Sequence, residues 1–114
     1  MVLMVDIDGT ISEDVRNEDS HLFESASVLP GAVQALHKLR AEGASICYFT
    51  ARPASARDVT VRWLGREGFP QPQNLITDKP RSKGSLRYVY IDNTPVSAVT
   101  FGGSWEQTLR ELKL

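Results

Sequence analysis

A single cysteine, two histidines and no long apolar run set the first limits on this chain. Cys47 can form no internal disulfide, and its place inside Ile46-Cys47-Tyr48-Phe49 marks it as a core thiol rather than a nucleophile. His21 sits in a polar stretch and His37 in a helical one, and neither belongs to a cluster with zinc-ligand spacing. No stretch approaches the length that crosses a bilayer. The N-terminus runs at once into a strand pattern, with no basic region followed by an apolar one. Neither charge dominates, since 13 basic residues against 14 acidic ones leave no field that would gather polyanions. These absences exclude a disulfide scaffold and a zinc module, and they predict a cytoplasmic protein without a membrane partner. At 114 residues and 41% hydrophobic content, the chain is expected to form one domain, 1–114, around one core.

What is present is Asp6-Ile7-Asp8-Gly9-Thr10, directly after the apolar run Val2-Leu3-Met4-Val5. Residues two apart on an extended chain point the same way, so Asp6 and Asp8 converge where a strand emerges into a turn. Gly9 lets the backbone turn there without a Cβ penalty. Two like charges so close need a cation or a shared proton. A divalent metal meets that need and suits phosphate chemistry, in which one carboxylate attacks phosphorus and its neighbour handles the proton of the leaving group.

The rest of the chain alternates strand and helix patterns. Val2–Val5, Ser45–Phe49 and Tyr88–Ile91 read as central strands buried on both faces, with shorter strands at Asn74–Ile76 and Ala98–Phe101. Leu29-Pro30-Gly31 opens a helix over Ala32–Glu42 that stops at Gly43. A second helix runs from about Ala54 to Glu67, with Val59, Trp63 and Leu64 on one face, and a third covers Trp105–Leu112. This alternation predicts an α/β fold, a doubly wound, Rossmann-like parallel sheet flanked by helices. Ligands of such sheets bind beyond the carboxyl ends of the strands, which brings together Asp6, Thr50 and Asp92. Ser12–Val28, rich in Glu, Asp, Asn and Ser, reads as an irregular solvated segment.

The first motif resembles the haloacid dehalogenase-like (HAD) superfamily, whose signature is a nucleophilic Asp, a second Asp two residues later, then Gly-Thr. The resemblance implies that Asp6 forms an aspartyl-phosphate and that Asp8 acts as general acid and base. It further implies phosphoryl transfer rather than dehalogenation, because dehalogenating members lack the second acid. Ser12–Val28 is too short for a folded cap and no insertion lies between Phe69 and Lys79, so the chain resembles a capless phosphatase. An open site of that kind suits a bulky substrate or a homo-oligomer in which a neighbouring subunit supplies the lid.

The same resemblance places Thr50-Ala51-Arg52 at the second motif, where a hydroxyl and helix N-terminal amides hold a phosphoryl oxygen. Thr50 and Ala51 are thus candidate phosphate ligands, and Arg52 is a further one through its guanidinium fork. The family's lysine is Lys79 of Asp78-Lys79-Pro80, with Lys83 as the second candidate at the substrate. Asp92 and Asn93, after Tyr90-Ile91, complete an implied Mg²⁺ site with Asp6 and the backbone carbonyl of Asp8. Asn93 stands where the family commonly has another acid, which predicts weaker metal binding. The stretch from Phe49 to Leu64 also resembles polynucleotide 3′-phosphatase domains.

Three functions follow as expectations. The leading one is a Mg²⁺-dependent phosphomonoester hydrolase acting on a nucleotide, a nucleic-acid end or a sugar phosphate. A catalytically weak or inactive HAD-fold binding or regulatory protein is the second, motivated by Asn93 and the short interval from Lys79 to Asp92. The third is a receiver-like phospho-accepting domain. The order of parts opposes the third, because a receiver carries its phospho-accepting Asp after the third strand.

Overall fold

The protein is described by a computed structural model, which covers residues 1–80 and 88–112. Among the described residues three parallel strands form the sheet: β1 (Val2–Val5), β2 (Ser45–Phe49) and β3 (Leu75–Ile76), in the order β1-β2-β3. β1 lies in register with β2, Val2 opposite Ser45 and Val5 opposite Tyr48, so both strands end at the same edge of the sheet. Between the strands run helices α1 (Ala32–Ala41) and α2 (Arg57–Arg66), and α3 (Trp105–Leu112) closes the described chain. The result is the α/β parallel sheet flanked by helices that the alternating pattern predicts.

Local chemistry explains where the helices begin and end. Gly31 takes a positive φ of 78° at the start of α1, and Gly43, at 103°, lets the chain turn back into β2. Lys38 and Arg40 in the last turn of α1 oppose its negative dipole end. Asp58 near the start of α2 and Arg66 near its end follow the same rule. A short 3-10 turn over Ala54–Ala56 precedes α2, and together they cover the helix expected from about Ala54. At α3, the Ser104 hydroxyl accepts the Gln107 N–H at 3.3 Å.

The core lies on one face of the sheet. Leu3 and Val5 of β1 align with Ile46 and Tyr48 of β2, and these meet Leu36 and Leu39 of α1, Trp63 and Leu64 of α2, and Trp105 of α3. The ring of Trp63 stacks on Phe69 at 5.5 Å while its indole N–H donates to the Ala26 carbonyl at 3.0 Å. Tyr48 is fully buried and its hydroxyl donates to the Pro70 carbonyl at 2.6 Å. Leu109 and Leu112 are partly buried, as their helical spacing predicts.

Five expectations need correction. Among the described residues β1 is an edge strand, not a central one, and Val2 and Met4, on the sheet face that no helix covers, are 63% and 52% exposed. Tyr88–Ile91 forms no strand and is exposed throughout, because an apolar run becomes a strand only where it finds a partner edge. Ala98–Phe101 likewise forms no strand. Cys47 is half-buried rather than a core thiol, since it shares the outward face of β2 with Ser45 and Phe49. The irregular Ser12–Val28 segment also contributes more than a solvated loop would. It holds a 3-10 helix over Asn17–Ser25, and Val15, Phe23 and Ala26 are buried in the core.

Replacing Tyr48 with Phe strips the buried Pro70 carbonyl of its donor, with an expected cost of ~1–3 kcal/mol in urea unfolding at neutral pH. Burial also pushes the Tyr48 phenol above its ordinary pKa. The unfolded phenol ionises near pH ~10 while the folded one keeps its proton, so this stabilisation is complete below that pH and declines above it. Urea midpoints followed from pH 8 to 11 should therefore fall more steeply in the wild type than in Tyr48→Phe. Parallel curves would contradict the buried phenol.

Candidate active site

The Asp6–Thr10 turn is built around one carbonyl. The Ile7 C=O accepts the N–H groups of Thr10, Ile11 and Ser12 at 3.0, 2.9 and 3.2 Å, and the Gly9 N–H donates to the Ser12 carbonyl at 2.9 Å. Gly9 adopts φ 83°, a left-handed conformation that a Cβ disfavours. Ile7 is fully buried between the two acids, so strand-like alternation continues past the end of β1 and turns both carboxylates away from the core. Trp105 ties α3 to this turn by donating its indole N–H to the Thr10 carbonyl at 2.8 Å.

Each carboxylate has its own cation, delivered by a different loop. Lys79 Nζ lies 2.9 Å from Asp6 Oδ1, and the Thr10 hydroxyl donates to Asp6 Oδ2 at 2.9 Å. Asp6 therefore has both oxygens restrained while 36% of its side chain stays exposed. Asp8 is gripped by Arg52, whose Nε reaches Oδ2 at 3.0 Å and whose Nη2 reaches Oδ1 at 2.8 Å. Bidentate pairs of this type carry both energy and geometric specificity.

The loops after β2 and β3 are stitched together behind these cations. The Lys79 N–H donates to the Thr50 carbonyl and the Asp78 N–H to the Arg52 carbonyl, each at 2.9 Å. Asp78 takes φ 61°, which bends the chain so that Lys79 faces Asp6. The Lys79 ammonium also lies 5.6 Å from the centre of the Phe49 ring. Thr50 is buried, and its hydroxyl oxygen accepts the Arg52 N–H at 3.1 Å, leaving its hydrogen available to another acceptor. Across the loop, Asn17 donates its side-chain N–H to the Ala51 carbonyl at 3.1 Å, anchoring the 3-10 segment to the same rim.

The structure thus gathers Asp6, Asp8, Thr50, Ala51, Arg52 and Lys79 at the carboxyl edge of the sheet. Arg52, expected as a phosphate ligand, has a fully buried side chain and directs its fork at Asp8. Lys83 lies outside the described residues. Asp92 and Asn93 do not join the site: both are exposed, and Asp92 Oδ1 accepts the Thr94 N–H at 3.0 Å in a local turn. The absence of a strand at Tyr88–Ile91 is the physical reason, since only a paired strand would carry Asp92 to that edge. Among the described residues, no three acidic, histidine or cysteine side chains converge to hold a metal. Hard oxygen donors at Asp6 and Asp8 still fit an ion such as Mg²⁺, which keeps several waters and takes only one or two protein carboxylates. His21 and His37 are exposed, and His37 pairs with the Gly68 carbonyl at 2.7 Å.

Sequence reasoning missed Thr10, Asn17, Phe23 and Thr60 as site partners. Thr10 had a signal in the Gly-Thr pair. Thr60 had only its helical spacing with Trp63 and Leu64.

A parallel sheet with an Asp-x-Asp-Gly-Thr turn and a facing lysine at its carboxyl edge defines the HAD-like phosphatase class. Two solved structures share the fold with TM-scores of 0.59: the class C acid phosphatase from Bacillus anthracis and the same enzyme with tungstate bound. They are 22% and 24% identical over 69% and 73% of this chain, which spans 41% and 43% of theirs. The family model described as "PITM 1-3, LNS2 domain" matches residues 3–91, and the chain belongs to that HAD-like family. A Bacillus cereus protein described as "Putative nucleotidase" is 40% identical over 52 residues, covering 46% of this chain and 28% of that protein. The chain thus spans less than half the length of these relatives.

A Cβ at Gly9 would meet only the Asp14 side chain, at 3.8 Å, so the cost of Gly9→Ala is backbone strain rather than a clash. Thermal or urea unfolding should show a loss of about 1–2 kcal/mol, and an unchanged midpoint would contradict the left-handed turn.

Proposed function

We propose that this chain is a Mg²⁺-dependent phosphomonoester hydrolase that works through an aspartyl-phosphate at Asp6. The observation carrying this reading is the Asp6 carboxylate, held by Lys79 and Thr10 at an exposed sheet edge with Asp8 two residues away. In the first half-reaction an Asp6 oxygen attacks phosphorus, the bond from phosphorus to the ester oxygen breaks, and Asp8 gives its proton to the departing alkoxide. In the second, Asp8 takes a proton from water, the water oxygen attacks phosphorus, and the bond to Asp6 breaks to release inorganic phosphate. Lys79 neutralises charge on the transferring group, and Thr50 with the amides near Ala51 binds its oxygens. A Mg²⁺ ion held by Asp6 and the Asp8 carbonyl would add further charge neutralisation.

A nucleoside monophosphate is the substrate class this reading favours, supported by the nucleotidase description of the Bacillus cereus relative. The tungstate held by the Bacillus anthracis structure supports an oxyanion site in the same fold. The binding-protein alternative draws on the exposed position of Asp92 and Asn93.

Hydrolysis of p-nitrophenyl phosphate, with Mg²⁺ or with EDTA, tests the proposal. Turnover should require the metal and fall at least about a thousandfold in Asp6→Asn. Metal-independent turnover, or activity retained in Asp6→Asn, would overturn the mechanism. Absence of turnover on both aryl and nucleoside phosphates would favour the binding protein.

A further inference from the structure

We infer that Arg52 is a positioning residue whose task is to hold the Asp8 carboxylate in the orientation for proton transfer. This inference rests on the reading of Asp8 as the proton shuttle. Its starting point is that Arg52 is fully buried although it sits in a loop at the rim of an exposed site. A guanidinium meant for substrate phosphate would need to reach solvent, whereas this one is closed off on every side by the protein.

Three independent contacts fix it. Nη1 donates to the Thr60 hydroxyl on α2 at 3.1 Å. The guanidinium carbon lies 3.9 Å from the centre of the Phe23 ring, in the 3-10 segment. The backbone of Arg52 is held at both its polar groups, its N–H by the Thr50 hydroxyl and its carbonyl by Asp78. The remaining face of the fork, Nε and Nη2, meets both oxygens of Asp8. A planar fork on two oxygens fixes the plane of the carboxylate as well as its distance, which a lysine in the same place would not do. Each carboxylate oxygen keeps a lone pair beyond the one used by Arg52, and 16% of the Asp8 side chain remains exposed to meet a leaving oxygen or a water. Phe23 and Thr60 thereby act on the proton shuttle from outside the two loops that carry Asp8 and Arg52.

This geometry separates Arg52 from a residue that merely supports the fold. Loss of the clamp harms proton donation most where the leaving alkoxide needs it most, on an alkyl phosphate, and least on p-nitrophenyl phosphate, whose leaving group departs without much help. The test compares kcat and KM on both esters for the wild type, Arg52→Lys and Thr60→Val. We expect kcat/KM on the alkyl ester, which reports departure of the leaving group and not the later hydrolysis step that both esters share, to fall about tenfold to a hundredfold, and the fall in kcat/KM on p-nitrophenyl phosphate to be clearly smaller. Equal losses of kcat/KM on both esters, or none, would overturn the inference. Arg52→Lys places a different cation at a buried position, so Thr60→Val, which leaves both members of the clamp intact, keeps the comparison meaningful if Arg52→Lys does not fold. The clamp is also read without turnover. The Arg52 Nε–H resonance in nitrogen-15 spectra should be protected from solvent exchange in the wild type, and exchange at least tenfold faster in Asp8→Asn and Thr60→Val. An unprotected resonance in the wild type would overturn the clamp whatever the activity. A protected one in a protein without turnover would instead place the failure in the hydrolase reading.

Discussion

Two carboxylates two residues apart at the end of a strand repel each other, and the structure answers that repulsion with one cation for each. Lys79 arrives from the end of β3 and Arg52 from the end of β2, so neutralising the Asp6–Asp8 pair requires all three strands to be parallel and to finish at one edge. The register of β1 on β2 is thus more than packing. It sets the distance over which the Arg52 fork can meet Asp8, and the backbone bonds from Asp78 and Lys79 to the β2 loop set the reach of the ammonium to Asp6.

Much of this was legible in the sequence, and the limits have physical causes. β1, β2, β3 and α3 are readable because their apolar runs and helical spacing are local, and Gly31, Gly43 and Gly68 mark turns through positive φ values that only glycine adopts freely. Asp6, Asp8, Thr50 and Lys79 fall together because each follows a strand, and parallel strands align their ends. Tyr88–Ile91 failed for the complementary reason. Its side chains specify a strand-like surface but not the edge it pairs with, and pairing is a property of the whole sheet. Without that pairing, Asp92 stays in a local turn with Thr94.

Arg52 shows a different limit. A guanidinium fork matches a carboxylate as well as it matches a phosphate, so the position after Thr50-Ala51 identifies the residue as important without identifying its partner. What decides between the two is burial, and burial comes from Phe23 and Thr60, residues 29 and 8 positions away with no motif of their own. The irregular segment between the first turn and α1 was equally opaque. Its polar composition hid three residues, Val15, Phe23 and Ala26, that enter the core.

The Arg52 clamp has a consequence for how this sequence can drift over time. Asp8, Arg52, Thr60 and Phe23 sit on four separate stretches of chain yet form one contact set around a buried guanidinium, so a change at any of them alters what the other three can be. A lineage that lost the arginine would leave a carboxylate facing an emptied hollow, with an unpaired threonine hydroxyl behind it. The four positions therefore constrain one another, and the orientation of the Asp8 carboxylate depends on a helix and a 3-10 segment outside its own turn.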